Sequence, residues 1–227
     1  MQFAGFETHL LDRKTNGNLF EIQFGNEFRK GKLNTVFTLF ENSTILENPL
    51  GFQNNTTYQT NDLYFKTKYR YKIKDFAVTG KLGFHQLFNK LEFDVFSENQ
   101  SPFFVNPSIG LDWKINDKNK ITSSYSYNTT NAKILDVYND YVLTNFRSFS
   151  KGTGTFNQLN ASTLLLNYQL GNWSDRFFAN TFVFYNKNFD FFSSNTLINQ
   201  NFTQSERVVI KDRELLSVSS KLDYHLT

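Results

Sequence analysis

NDLYFKTKYRYKIKDFAVTGKLGFHQLF, residues 61–88, decides how the rest of the chain is read. From Leu63 onward two parities separate. Leu63, Phe65, Thr67, Tyr69, Tyr71 and Ile73 fall on one, and Tyr64, Lys66, Lys68, Arg70 and Lys72 on the other. Successive strand side chains point to opposite faces, so this is a strand with a greasy side and a cationic side. After Lys74-Asp75 the alternation resumes, with Phe76, Val78, Gly80, Leu82 and Phe84 against Ala77, Thr79, Lys81, Gly83 and His85. A two-residue hairpin loop sets its flanking residues opposite each other. Here those are Ile73 and Phe76, both apolar, so the two halves agree in register as one amphipathic β-hairpin.

The composition extends that pattern to the whole chain. Its 227 residues include 27 Phe and 11 Tyr, yet the mean hydropathy is −0.47. Large apolar residues diluted one-for-one by Asn, Thr, Ser and Lys give this combination. Only 3 prolines interrupt it, as suits long paired strands that need every N–H. The formal charge of +3 points to neither nucleic acid nor an acidic partner. Cysteine is absent, which excludes disulfides and thiolate metal sites. No apolar run reaches the roughly 18 residues of a membrane helix, although barrel strands cross a bilayer without one. Met1-Gln2-Phe3-Ala4-Gly5 has neither the basic nor the apolar region of a signal peptide.

Working outward from the hairpin, the alternation predicts nine strands, at 18–28, 33–41, 57–73, 76–88, 103–115, 120–133, 157–170, 176–192 and 207–226. Residues 1–17 read as the end of a loop. Short polar turns fall at Arg29-Lys30-Gly31-Lys32, Lys74-Asp75, Asn116 to Asn119 and Gly171 to Asp175. Longer polar stretches fall at Asn42 to Thr60, Asn89 to Pro102, after Tyr127 to about Phe156, and around Asn199 to Ser205. Short turns at one end and long loops at the other are the layout of an outer-membrane barrel. The expected fold is therefore all-β, a partial antiparallel up-and-down transmembrane β-barrel in the outer membrane of a Gram-negative bacterium. Phe28, Tyr69, Tyr71, Trp113 and Trp173 all lie beside a short turn in this reading, where aromatic side chains mark a membrane–water interface.

Ile134 to Tyr168, ILDVYNDYVLTNFRSFSKGTGTFNQLNASTLLLNY, resembles the barrel of a TonB-dependent receptor of the large, loop-rich kind, and SERVVIKDRELLSVSSKLDY at Ser205 to Tyr224 resembles its next strand pair. That resemblance implies a 22-stranded barrel with an N-terminal plug and energy-coupled import of a scarce extracellular ligand. It implies outer-membrane lipid, the plug and the TonB complex as partners. At about 25 residues per strand a 22-stranded wall needs roughly 550 residues, so residues 1–227 are expected to be a partial barrel domain. Plug, signal peptide and chain end are expected to lie outside it.

Site candidates follow from the same strands. Lys66, Lys68, Arg70, Lys72 and Lys81 share the polar face and are expected to line a wet lumen, with plug contact as the sharper possibility. Glu92, Asp94 and Phe96 lie in a loop where acids alternate with aromatics, a pattern that suits a strand rising above the membrane, with ligand contact as the sharper possibility. Asp136 and Asp140 lack calcium-loop spacing, and Lys151-Gly152-Thr153-Gly154 lacks the phosphate-loop order, so no metal or cofactor is expected. His9, His85 and His225 share no catalytic pattern, and no enzyme is expected. Two other readings of the strands remain open: a surface-attached β-sandwich adhesin or carbohydrate-binding protein, and a passive porin-like barrel. Phe and Tyr on long strands favour a barrel over a sandwich core.

Overall fold

A computed structural model describes residues 1–94, 96–172 and 175–225. Its long strands are β1 (Gln2–Arg13), β2 (Leu19–Val36), β5 (Gln53–Ile73), β6 (Phe76–Phe93), β8 (Phe103–Lys114), β9 (Asn119–Asn131), β12 (Gln158–Leu170), β13 (Phe177–Ile198) and β14 (Thr203–Tyr224). They pair antiparallel in that order, each with its neighbour in the chain, as an up-and-down meander. Between them lie β3 (Leu39–Glu41) and β4 (Thr44–Glu47), a separate hairpin, and β7 (Phe96–Gln100), which pairs with β6. The β9–β12 connection holds α1 (Ile134–Val137), β10 (Val142–Asn145) and β11 (Ser148–Lys151). β11 pairs in parallel with the start of β14. The sheet is open, with β1 and β10 as its edges.

The opening hairpin forms in the expected register, Ile73 opposite Phe76. Three other expectations are corrected. Residues 2–13 form β1, paired with β2 along its whole length, where a loop was expected. Arg29-Lys30-Gly31-Lys32 is no turn: β2 runs straight through it against Gln59, Tyr58 and Thr57. The first short turn sits at Lys14–Asn18, closed by Gly17 N donating to Lys14 O at 3.0 Å. Asn199 to Ser205 is no long loop either. Phe202 closes a tight turn onto Asn199, and β13 and β14 rise together to Ile198 and Thr203.

The lower turns step along the strands. β2 starts at Leu19 opposite Arg70, whereas β5 continues to Ile73. β8 passes that level, since Lys114 N donates to Asp75 O at 2.8 Å. β12 passes the next, since Gly171 N donates to Lys118 O at 2.6 Å, and β13 begins lower still at Phe177. The drift is roughly one residue per strand, about 3.3 Å along for every 4.8 Å across, the stagger of strands tilted by about 35°.

One face carries an apolar belt. Phe24, Phe65 and Phe84 lie in consecutive strands at one level, with Phe6 of β1 diagonally above Phe24, and Phe20, Tyr69, Gly80, Ile109, Tyr125, Leu164, Tyr185 and Leu216 lie at another. Among the described residues no second layer covers it: Ile109 is 56 % exposed and Leu222 70 %. Its upper margin drifts in the same direction as the turns. The first charged side chains above it are Lys30 and Lys90, either side of Gln59, on β2 and β6, but Lys187 and Glu214, one step above the level of Tyr69, on β13 and β14, where Phe189 and Phe191 follow beyond Lys187 on the same face. A belt with parallel slanted margins is level once its strands are tilted. On β5 it spans Leu63 to Ile73, the length a tilted strand needs to cross a bilayer.

Above Asn61 the two faces exchange character. Gly31, Tyr58 and Leu91 now face inward together, and Lys30, Gln59 and Lys90 face outward. The inward group meets the β9–β12 connection, and there the buried core forms from Tyr58, Leu91, Ala132, Val137 and Phe156. Gly31 lets this contact close up, because a Cβ there would stand 3.0 Å from Ile134 Cδ1 and push it back by a few tenths of an ångström.

Candidate functional site

Below the crossover, the face opposite the belt is polar and wet. Glu21, Lys68, Lys81, Ser108 and Ser126 form one cross-strand row. They line a trough of about 690 Å³ with Gln23, Lys66, His85, Asn106 and Asn128. The structure therefore brings Lys66, Lys68 and Lys81 into one trough, whereas Arg70 and Lys72 line a neighbouring hollow nearer the turns. Lys68 and Lys81 stand directly opposite each other, a pairing that like charges disfavour unless counter-charge is near. Glu21 supplies it at 3.4 Å from Lys68, and Asp112 stands 3.3 Å from Arg70. The expected cationic stripe is thus partly neutralised by adjacent strands. Lys66 lies over the Tyr64 ring at 4.1 Å, and among the described residues Lys81 has no ion-pair partner.

A second polar group, at the top of the trough, escaped the sequence reading. His85 Nδ1 stands 2.9 Å from Asp62, its ring stacks on Phe104 at 5.0 Å, and the Tyr64 hydroxyl donates to Glu7 at 2.6 Å. These residues come from β1, β5, β6 and β8, and only the register across all four joins them. Gly25 makes room: a Cβ there would stand 2.5 Å from the Tyr64 hydroxyl.

Above the trough sits a cap, the 132–157 connection. On one side it is held by β5 and the loop before it. The Tyr58 hydroxyl donates to Ala132 O at 3.0 Å, Asn54 Nδ2 donates to Asp140 O at 3.0 Å, and Tyr141 N donates to Gly51 O at 2.8 Å. On the other side it is held by β14, through the β11 ladder, the Tyr141 hydroxyl donating to Glu206 at 2.6 Å, and an Arg207–Asp136 ion pair. Phe149 meets Phe37, Phe52 and Phe202 edge to face beside these bonds, bringing loop tips from both flanks together. Burial lifts the Tyr58 phenol above its ordinary value, and burial with the Glu206 bond lifts Tyr141 to about 12. Both therefore remain hydrogen-bond donors at any physiological pH.

Glu92, Asp94 and Phe96 do come together, in a hollow of about 370 Å³ shared with Asn55, Thr57 and Phe93. Asn55 Nδ2 donates to Asp94 at 2.8 Å, and Phe93 stacks on Phe96 at 6.2 Å. Glu92 belongs to β6 and faces Thr57 above the belt, on the outer surface and away from the trough.

Of the aromatic residues expected at turn level, Tyr69 and Tyr71 stack at 6.5 Å on the belt's lower part. Trp113 packs edge-on against Phe76 at 6.3 Å beside the turn. Phe28 is corrected: without a turn at 29–32 it lies at the belt's upper margin, opposite Asn61. Trp173 lies outside the described residues.

No protein-family model matches the chain. No curated protein matches it. Among solved structures, the crystal structure of the siderophore receptor PirA from Pseudomonas aeruginosa is similar, with a TM-score of 0.44 and 7 % sequence identity over 97 % of this chain and 53 % of that one. The chain thus spans about half the length of that receptor.

Proposed function

We propose that the sheet is part of the wall of an outer-membrane β-barrel, and that the barrel serves as a receptor importing a scarce extracellular ligand. The observation that carries this is the slanted apolar belt. In water, so broad an uncovered apolar surface has no stable place. In a bilayer it is the lipid-facing band, and the drift of both margins matches barrel tilt. The opposite face, with its paired and unpaired lysines, then lines the lumen, and the open edges are where further strands complete the wall. The cap over the trough supports gated uptake over a passive pore, because it lies across the upper end of the lumen. Energy coupling through a plug and TonB is the mechanism the sequence resemblance implies, with no enzymatic step.

The protein is expected to fractionate with the outer membrane, to require detergent for extraction, and to migrate differently on electrophoresis before and after boiling. Recovery in the soluble fraction without detergent sinks the proposal and returns the β-sandwich reading. Ligand uptake that persists after collapse of the inner-membrane proton gradient leaves the barrel but makes it a passive one.

A further inference from the structure

Three lysines stand at the upper margin of the belt, on its outer face. Lys30 and Lys90 flank Gln59 in the first row above Phe28, Asn61 and Phe88, and Lys32 occupies the next row, level with Thr57 and Glu92. Neighbouring strands are about 4.8 Å apart, so Lys30 and Lys90 are held about 10 Å apart on a rigid sheet. Lys90 pairs with Glu92. Among the described residues neither Lys30 nor Lys32 has an ion-pair partner, and three ammonium groups beside the Glu92 and Asp94 carboxylates leave the group with a net positive charge.

We propose that Lys30, Lys32 and Lys90 form a site for the phosphate of an anionic membrane lipid. This rests on the reading of the belt as lipid-facing. The position selects the occupant. The cluster begins where apolar side chains stop, so an acyl chain lying on Phe28 and Phe88 places its headgroup at the level of the ammonium groups. Lysine stems cover apolar surface while their charged ends reach the polar layer. A soluble anion gains the charge but nothing from the belt below.

The test compares binding of phosphatidic acid and phosphatidylcholine with matched chains to the detergent-purified protein, read by native mass spectrometry. A basic side chain at an anionic surface is worth roughly fivefold in binding. The K30Q/K32Q/K90Q variant is therefore expected to lose about a hundredfold of the preference for phosphatidic acid, and K30R/K32R/K90R to keep it. Inorganic phosphate at equal concentration is expected to leave the lipid bound. Preference unchanged in the glutamine variant overturns the site, and so does displacement of lipid by inorganic phosphate. If neutral lipid binds but no preference exists, this inference alone fails. If the protein takes up neither lipid nor detergent, the reading of the belt has failed first.

Discussion

Ile109→Arg is expected to destabilise the protein in lipid vesicles by about 2–4 kcal/mol, the cost of a cationic side chain near the bilayer midplane. Ile109 lies well inside the belt on β8, between Tyr125 and Gly80, and is 56 % exposed with nothing of this chain over it. An exposed side chain on a water-soluble protein tolerates such a change within about 0.5 kcal/mol. The size of the penalty therefore reports what covers the belt. Ser108, the preceding residue, points into the trough directly opposite Lys81. Ser108→Asp is expected to cost less than about 0.5 kcal/mol, because the new carboxylate meets water and an unpaired ammonium group. Urea titration of folding into vesicles measures both. Equal penalties at Ile109 and Ser108 abolish the distinction between the two faces and with it the barrel assignment.

Leu91→Ala is expected to loosen the cap while leaving the membrane-level wall intact. Leu91 and Val137 are both fully buried, at 0 % exposure, and Tyr58 and Phe156 close around them. Truncating a fully buried leucine costs about 2–5 kcal/mol, the transfer term plus the cavity. That loss falls on the contact between β6 and the 132–157 connection, because below Leu87 the large apolar side chains of β6, Phe84, Leu82, Val78 and Phe76, face the other way. Local opening of the cap should rise about a hundredfold, seen as faster amide exchange across 132–157, with β12 and β13 unchanged below the level of Tyr185. Uniform acceleration over the whole sheet shows instead that the cap is no separate unit, and unchanged exchange shows that Leu91 does not hold it.

The membrane-level half of the fold was legible because its rule is local. A strand between lipid and water alternates at every position, and residues 63–73 do so without a break. The upper half was misread because that rule reverses there. Along β2 the outward side chains change from Phe24 and Phe28 to Lys30 and Lys32, while the inward ones change from Glu21 and Gln23 to Gly31 and Leu33. A strand that changes faces in mid-course looks in sequence like two strands joined by a turn. Arg29-Lys30-Gly31-Lys32 has turn-like composition for reasons that lie elsewhere: Gly31 for the approach of Ile134, and the lysines because they leave the belt. β1 was missed because Asp12-Arg13-Lys14 resembles loop, although its pairing continues to Arg13 opposite Leu19. The trough lysines were readable from parity alone. Their counter-charges, Glu21 and Asp112, and the His85–Asp62 pair depend on registers that no single stretch encodes.

The stagger of the turns also sets how wide a ring this wall can make. At about one residue of drift per strand, each strand takes roughly 6 Å of circumference, so every added strand widens a closed ring by about 2 Å. Nine strands alone would give a ring about 17 Å across between backbones, a bore that inward side chains fill or that holds one small ligand. Lys66, Lys68 and Lys81 instead open onto a trough of about 690 Å³. Among the described residues β1 and β14 do not pair, so on the proposed reading the curvature belongs to a larger circle, and the trough is a shallow arc of its inner rim.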